Sequence, residues 1–296
     1  MQSNTPSTEP RIAVVGPGSV GLFFAGHLAA AGRDVVACAR RPFDRYVIES
    51  ETDPLDHEAT VVTDPDEIAT PVEWVLFCVK AHQSEGARGW LERLCDENTN
   101  VVVVQNGIEH DRIAPWANGA EIVPSVVYCG GELLEPGHMQ HHGSGHLIVQ
   151  AGDTADELVA LFDGSRAEIR PKDDLLTPMW LKLSLNVMAN GLTALTRRDM
   201  SVFGETEIQQ AAIVLLKEVW AIARAEGAQL DDDRAALIVE GSRDRQAGGT
   251  SMYYDTMAGR PTEHDAIHGA ALRKAAEHRI AVPAITLMHA LLEHRA

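Results

Sequence analysis

The sequence predicts an α/β domain built on a parallel sheet, followed by an all-helical domain, and three observations carry that reading. Short, continuous apolar runs ending in polar or glycine turns recur through the first hundred residues, as strands covered on both faces require. A stretch rich in β-branched residues and Pro-Gly or Gly-Ser-Gly turns follows from Glu121. Beyond the charged segment RPKDDLLTP at 170–178 the apolar spacing turns helical almost to the end, which puts the domain boundary near residue 172.

Taken in order, residues 1–9 are polar and predict a frayed tail before a first domain over 10–172. RIAVVGPGSVGLFFAGHLAAAGRDVVACARR reads as a βαβ unit: a short apolar run ending in glycine, an alanine- and leucine-rich helix, and a second β-rich run from Val35 to Ala39. Further strands are expected at WVLFCVK (74–80) and NVVVVQNG (100–107), giving a doubly wound sheet. EIVPSVVYCGGELLEPGHMQHHGSGHLIVQAG predicts antiparallel strands that close this domain. The second domain, 173–296, carries expected helices at 178–195, 205–227, 231–247, 263–278 and 284–293.

Composition narrows the function classes. At 296 residues and 45% hydrophobic, the chain is long enough for two globular domains. A formal charge of -18, from 43 acidic against 25 basic residues, argues against nucleic acid or an anionic membrane as partner, because the long-range field repels both. An anionic ligand therefore needs locally placed positive groups. Cys38, Cys78, Cys95 and Cys129 form no CxxC pair, which fits free thiols in a reducing cytoplasm. The polar N-terminus, MQSNTPSTEP, has neither a basic start nor an apolar signal core, and no apolar run approaches the roughly 18 residues needed to span a bilayer.

GPGSVG places Gly16, Gly18 and Gly21 at GxGxxG spacing between a strand and a helix, with Pro17, Ser19 and Val20 filling the turn. Gly16 permits the tight bend, Gly18 lets the backbone approach a pyrophosphate, and Gly21 allows close packing of helix on strand, as in a Rossmann-type dinucleotide site. About 20 positions on, NAD sites commonly carry an acid; this chain offers Arg40 and Arg41, whose guanidinium groups suit the 2′-phosphate of NADP(H). Asp44 and Glu49 lie nearby, so two solvated arginines are the alternative reading. Lys80 and Asn106 fall where later strands should end at the same carboxyl edge, placed for cofactor or substrate.

In the helical half, MWLKLSLNVMANGLTALT interrupts an apolar stripe with Lys182, Asn186 and Asn190 at intervals of four. Each step drifts by roughly 40° on an ideal helix, so an ammonium and two amides share one face over about 12 Å and can touch one small molecule. A core helix whose lysine snorkels and whose asparagines link to backbone is the bland reading of the same row. His138, His141, His142 and His146 match no HExxH spacing and predict a surface hairpin rather than a metal site. LDDDR at 230–234 reads as a helix start, and IVLLKEVWAIA as core packing.

GPGSVG, ARR, VKA, QNG, WLKLSLNVMANGLTAL, TSMYYD and TEHDAIHGAALRKAAEHRIAVP, in this order and spacing, resemble the ketopantoate reductase (2-dehydropantoate 2-reductase) family from Arg11 to about Pro283. The resemblance implies a Rossmann domain followed by an all-helical domain, an active site in the cleft between them, NADPH as hydride donor and a branched 2-oxo acid as acceptor. It implies that Lys182 is the catalytic lysine, that Asn186 and Asn190 bind substrate, and that Ser251 holds it. It also implies that Asn106 serves both cofactor and substrate, while Lys80 and Glu263 stand on the cofactor side. A homodimer is compatible with it. One departure stands out: after NGLTAL the family often supplies another substrate-contacting asparagine, whereas this chain continues TRRDMSVFG.

The chemistry follows from these groups. Hydride delivery to a ketone carbon pushes charge onto the oxygen, where the Lys182 ammonium can stabilise the alkoxide and protonate it. The amides and the Ser251 hydroxyl orient the substrate without burying more charge. Two other functions stay open on the sequence: a reductase of another ketone, oxo acid or imine, and a non-catalytic module that binds NADP(H) as a sensor.

Overall fold

The computed structural model describes residues 11–243 and 248–294. The tail expected over 1–9 and the end of the helix expected over 231–247 lie outside the described residues. The chain divides into two compact units: residues up to Gln105 with His110–Leu175, and Asn106–Glu109 with the residues from Leu176 onward.

The first unit runs β1 (Ile12–Val15), α1 (Ser19–Ala30), β2 (Val35–Cys38), β3 (Arg45–Glu49), β4 (Leu55–Glu58), β5 (Thr60–Val62), β6 (Trp74–Phe77), α2 (Arg88–Leu94), β7 (Asn100–Val103), β8 (Glu121–Glu135), β9 (His138–Gln150), α3 (Asp153–Leu161) and β10 (Glu168–Lys172). Its sheet has the order β4-β3-β9-β8-β7-β6-β1-β2-β5, with β10 paired to β9. The half from β5 to β7 is parallel, with Ile12 opposite both Val35 and Trp74. Strand β8 continues it at Asn100–Glu121 and then turns back as an antiparallel partner of β9.

The parallel strands are apolar throughout because both faces are covered. Ile12, Val14, Trp74, Leu76 and Val102 face a core shared with Leu22, Phe24 and Leu28 of α1. Their neighbours Ala13, Val15, Val75, Phe77 and Val101 face a second core with Trp90, Leu91 and Leu94 of α2. Helix α1 lies against both the parallel strands and the β3, β8 and β9 layer, which explains why it buries side chains all round instead of showing one stripe.

Strands β3, β4 and β5 were not legible in the sequence. They are three to five residues long; β3 and β4 carry Arg45, Glu49, Asp56 and Glu58 at exposed positions, and β5 is too short to give a sustained apolar run. The expected strands 74–80 and 100–107 stop at Phe77 and Val103, leaving Lys80 and Asn106 beyond the strand ends. The histidine hairpin is β8–β9 as expected, but it is not wholly a surface feature: His141 and His146 are buried. His141 stacks on Phe23 of α1 at 4.4 Å, and His146 stacks on its cross-strand neighbour Tyr128 at 4.8 Å while Arg170 of the adjacent β10 reaches its Nε2 at 3.1 Å. Among the described residues no group of three or more His, Cys, Asp or Glu side chains is set to hold a metal ion.

The second unit is helical: α4 (Leu176–Thr196), α5 (Thr206–Ala225), α6 (Ala235–Arg243), α7 (Ser251–Met257), α8 (Ala270–His278) and α9 (Pro283–Glu293). Helix α4 packs against α5, α7 and α9, and its Leu183, Val187 and Met188 share a core with Leu216, Val219 and Trp220 of α5. Trp220 Nε1 donates to Ser184 Oγ at 3.0 Å, which satisfies two polar groups inside that core. Glu218 accepts from the backbone N–H groups of Ala284 and Ile285, capping α9 from another helix. At 230–234, Asp231 caps the 3-10 turn that leads into α6. The helix expected from 263 opens instead as a π-helical turn, Asp265–Gly269. Among the described residues no helix is long and apolar enough to cross a membrane.

Candidate active site

In the first unit the glycine turn sits between β1 and α1. Gly16 has φ +82, and a Cβ there would stand 2.5 Å from Val79 Cγ1 and 2.9 Å from Val79 N. A Cβ on Gly21 would stand 2.5 Å from the Gly16 carbonyl oxygen, so helix and turn can approach only because it is absent. Gly18 differs: among the described residues, its immediate chain neighbours aside, no atom lies within 4 Å of where its Cβ would be. The fold itself therefore needs Gly16 and Gly21, whereas the bare backbone at Gly18 leaves room for a ligand. Helix α1 begins at Ser19 without a side-chain cap or an acid in its first turn, so its N-terminal dipole is not offset locally and favours an anion.

The other candidates of this unit lie at the same carboxyl ends. Val79, against the glycine turn, precedes Lys80, which is half-buried after β6. Gln105 ties this loop to the end of β7 by donating to Val79 O at 2.7 Å and to Ser84 Oγ at 2.9 Å. Arg40 and Arg41 are exposed just past β2. Turn, lysine and arginines thus present backbone N–H groups and cations, a donor set that fits a dinucleotide phosphate.

In the second unit Lys182 and Asn186 are half-buried on α4, and Asn190, one turn on, is only 4% exposed. The Asn186 amide donates to Asn106 Oδ1 at 3.3 Å, and the Asn106 amide donates to Glu263 Oε2 at 3.1 Å. Three residues separated by up to 157 positions therefore form one hydrogen-bonded chain. Glu263 is buried as well, at 8% exposure. Asn190 Nδ2 is buried without a hydrogen-bond partner among the described residues. A buried amide left unsatisfied by its own protein is costly, and a bound acceptor would relieve it.

Ser251 is exposed at the first position of α7. Thr250 caps that helix by accepting from Tyr253 N at 3.1 Å, and its hydroxyl pairs with Thr193 Oγ1 of α4 at 2.8 Å. Thr193 lies three residues after Asn190, so the threonine pair fixes the start of α7 beside the far end of the polar row. The sequence reading missed both α7 and this pair. Thr250 before Ser-Met-Tyr-Tyr is an N-cap signal that could have marked the helix, but nothing local marks its partner on α4.

His268 was also missed. Its fully buried imidazole lies against α4, with Nε2 3.0 Å from Val187 O. Burial pushes its pKa down to about 3, against a smaller raising effect of the Val187 hydrogen bond. The ring is therefore neutral and donates Nε2–H to that carbonyl. It supports the helix that carries Lys182, Asn186 and Asn190 without adding charge beneath them.

A glycine-turn nucleotide unit joined to a helical unit with a lysine–amide row defines an oxidoreductase class. Two family models match the chain: Ketopantoate reductase PanE/ApbA over residues 12–154, and Ketopantoate reductase PanE/ApbA C terminal over 174–296. The chain is 36% identical to a 2-dehydropantoate 2-reductase of Mycobacterium tuberculosis (strain H37Rv) over 284 residues, covering 95% of this chain and 96% of that one. It is 34% identical to the 2-dehydropantoate 2-reductase of Caulobacter vibrioides over 290 residues, covering 96% and 99%. A crystal structure of 2-dehydropantoate 2-reductase from Geobacter metallireducens superposes with a TM-score of 0.90 at 26% identity, covering 97% of this chain and 100% of that one. The chain belongs to the ketopantoate reductase family, and it is an oxidoreductase.

Proposed function

We propose that this protein reduces 2-dehydropantoate to pantoate with NADPH, and that Lys182 supplies the proton. The observation that carries the reading is the buried amide of Asn190, which has no hydrogen-bond partner among the described residues and lies on the same helix face as Lys182, one turn beyond the first member of the Asn186–Asn106–Glu263 chain. Such a donor row suits a small molecule with several oxygens. Similarity over nearly the whole length of curated 2-dehydropantoate 2-reductases supports the choice of substrate.

NADPH, when bound, supplies a hydride to the ketone carbon. In the first unit Gly16–Gly21 and the start of α1 would hold its phosphates through backbone N–H groups, Arg40 its 2′-phosphate and Lys80 its ribose; in the second unit Asn106 and Glu263 are the groups that the family resemblance assigns to the cofactor. Lys182 donates a hydrogen bond to the carbonyl oxygen, stabilises it as the C=O π electrons move onto oxygen, and passes it a proton, leaving a hydroxyl. Solvent then returns a proton to the lysine. Asn186, Asn190 and Ser251 bind the carboxylate and hydroxyl and fix which carbonyl face is offered. Four free cysteines, whose thiol pKa values burial raises, support a reducing cytoplasm as the compartment.

A second reading keeps the chemistry and changes the acceptor. The turn after α4 holds Arg197 in a left-handed conformation, φ 52, and Arg198 paired with Glu205, where the family often has an asparagine. NADPH oxidation measured with ketopantoate and a panel of other 2-oxo acids, ketones and imines, with NADH alongside, separates the readings. Ketopantoate with NADPH should give the highest kcat/KM. A better acceptor would move the assignment to the second reading, and NADPH binding without oxidation of any acceptor would leave a sensor.

A further inference from the structure

Arg273 on α8 touches none of the groups assigned above, yet it joins the two segments that bring them together. Its guanidinium grips Glu109 as a fork, with Nε donating to Oε1 at 2.8 Å and Nη2 to Oε2 at 2.7 Å. It also reaches Asp265, with Nη1 donating to Oδ1 at 2.8 Å and Nη2 to the backbone oxygen at 3.1 Å. Glu109 ends the segment Asn106–Glu109, and Asp265 opens the π-helical turn two residues after Glu263. One side chain thus fastens the segment bearing Asn106 to the turn that follows Glu263.

The local backbone is shaped for this clasp. Gly107 has φ +107, and a Cβ there would stand 2.8 Å from the Ala266 oxygen, so the segment lies directly on the π turn. A Cβ on Gly269 would stand 2.3 Å from Asp265 Oδ1 and 3.0 Å from Arg273 Nη1, displacing the pair. The ion pair is also better sheltered than a surface one: the side chains of Arg273 and Glu109 are 35% and 19% exposed. Bidentate guanidinium–carboxylate geometry fixes orientation as well as distance, which a lysine cannot do.

We propose that Arg273 is a positioning residue, which through Glu109 holds the Asn106 amide between Asn186 and Glu263 and so sets the orientation of the bound oxo acid. The effect on catalysis rests on the reduction proposed above. The effect on Asn106 does not. Without the clasp the segment loses its bidentate charged anchor, while the packing of Ile108 on the helical core and the 3.3 Å and 3.1 Å amide bonds remain. Misplacement of a substrate-orienting group by about 1 Å can cost on the order of a hundredfold in rate, so even partial loosening should be measurable.

The test uses the full chain and the variants Arg273→Gln, Glu109→Gln, the double variant, Arg273→Lys and Lys274→Ala. Lys274 is the control, because it pairs with Glu226 and Glu277 from the same helix. Hydrogen exchange is followed in the peptide 104–112, and kcat/KM is measured with NADPH and ketopantoate, or with the best acceptor found. Arg273→Gln and Glu109→Gln should each raise exchange in that peptide and lower kcat/KM about tenfold, and the double variant should fall no further than Arg273→Gln, since the Glu109 fork is already lost in each. Arg273→Lys should recover part of both, and Lys274→Ala should change neither. Unchanged exchange in 104–112, additive losses in the double variant, or an equal loss in Lys274→Ala would overturn the proposal. If the unmodified protein reduces no acceptor, the reduction reading fails, and the exchange of 104–112 alone decides whether Arg273 holds Asn106.

Discussion

The glycine turn of the first unit and the polar row of the second meet a polar ligand in opposite ways. The turn offers backbone: its specificity lies in side chains that are missing, and two of its three glycines are required by the fold before any ligand is considered. The row offers side chains on a rigid helix, and the fold satisfies some of them while Asn190 Nδ2 finds no partner among the described residues. Damage to the turn should therefore show in stability and cofactor affinity together. Damage to the row should show in turnover while the fold survives.

The largest expected effect tests the second half of that contrast. Lys182→Ala should lower kcat by about 10²–10⁴-fold, the range for loss of a positioned general acid, while NADPH affinity, read by fluorescence titration, stays within a few-fold. Normal turnover in this variant would remove the lysine from the mechanism. A loss of NADPH binding would instead put the lysine in the cofactor site.

Paired glycine variants test the first half. Gly16→Ala puts a methyl group against Val79 in a left-handed backbone and should cost about 1–3 kcal/mol in chemical unfolding, with NADPH binding weakened as well. Gly18 has φ -73 and open space around it, so Gly18→Ala should leave the unfolding midpoint unchanged while weakening NADPH on the order of tenfold. Equal losses of stability in the two variants would mean that the turn is a folding device alone.

The smallest effect compares the interiors of the two units. Burial lowers the pKa of His110 in the first unit to about 4 and of His268 in the second to about 3, from 6.5. Between 6.5 and these values the unfolded chain binds protons that the folded chain refuses, so stability is full above 6.5 and falls on acidification. Each histidine should contribute up to about 1.4 kcal/mol per pH unit within its window. Urea unfolding followed from pH 7 to pH 5 should show this slope, and His268→Gln should remove its share. Beside desolvation, which is the larger cause, positive charge on His289 and His264 also lowers the pKa of His268.

How much could be read in the chain itself differed between the units for the same reason. The βαβ unit, the glycine turn and the β8–β9 hairpin are local in sequence, and α4 announces its polar row by spacing alone. The short strands β3 and β4 gave no signal, because charged residues at their exposed positions break the apolar pattern, and β5 is only three residues long. Helix α7 was hidden by its length. The burial of His141 and His146 depended on the Phe23 ring of α1 and on β10 pairing beside β9, which no hairpin sequence records.

The sequence by itself determined the order of domains, the backbone of the glycine turn and the alignment of Lys182, Asn186 and Asn190, since each follows from short-range geometry with a fixed period. Only the tertiary structure decided that Asn106 meets Asn186 and Glu263, that Arg273 reaches back to Glu109, and that Asn190 Nδ2 finds no partner among the described residues. These contacts span 80 to 164 positions, and whether a polar group is satisfied depends on the partner that packing brings to it.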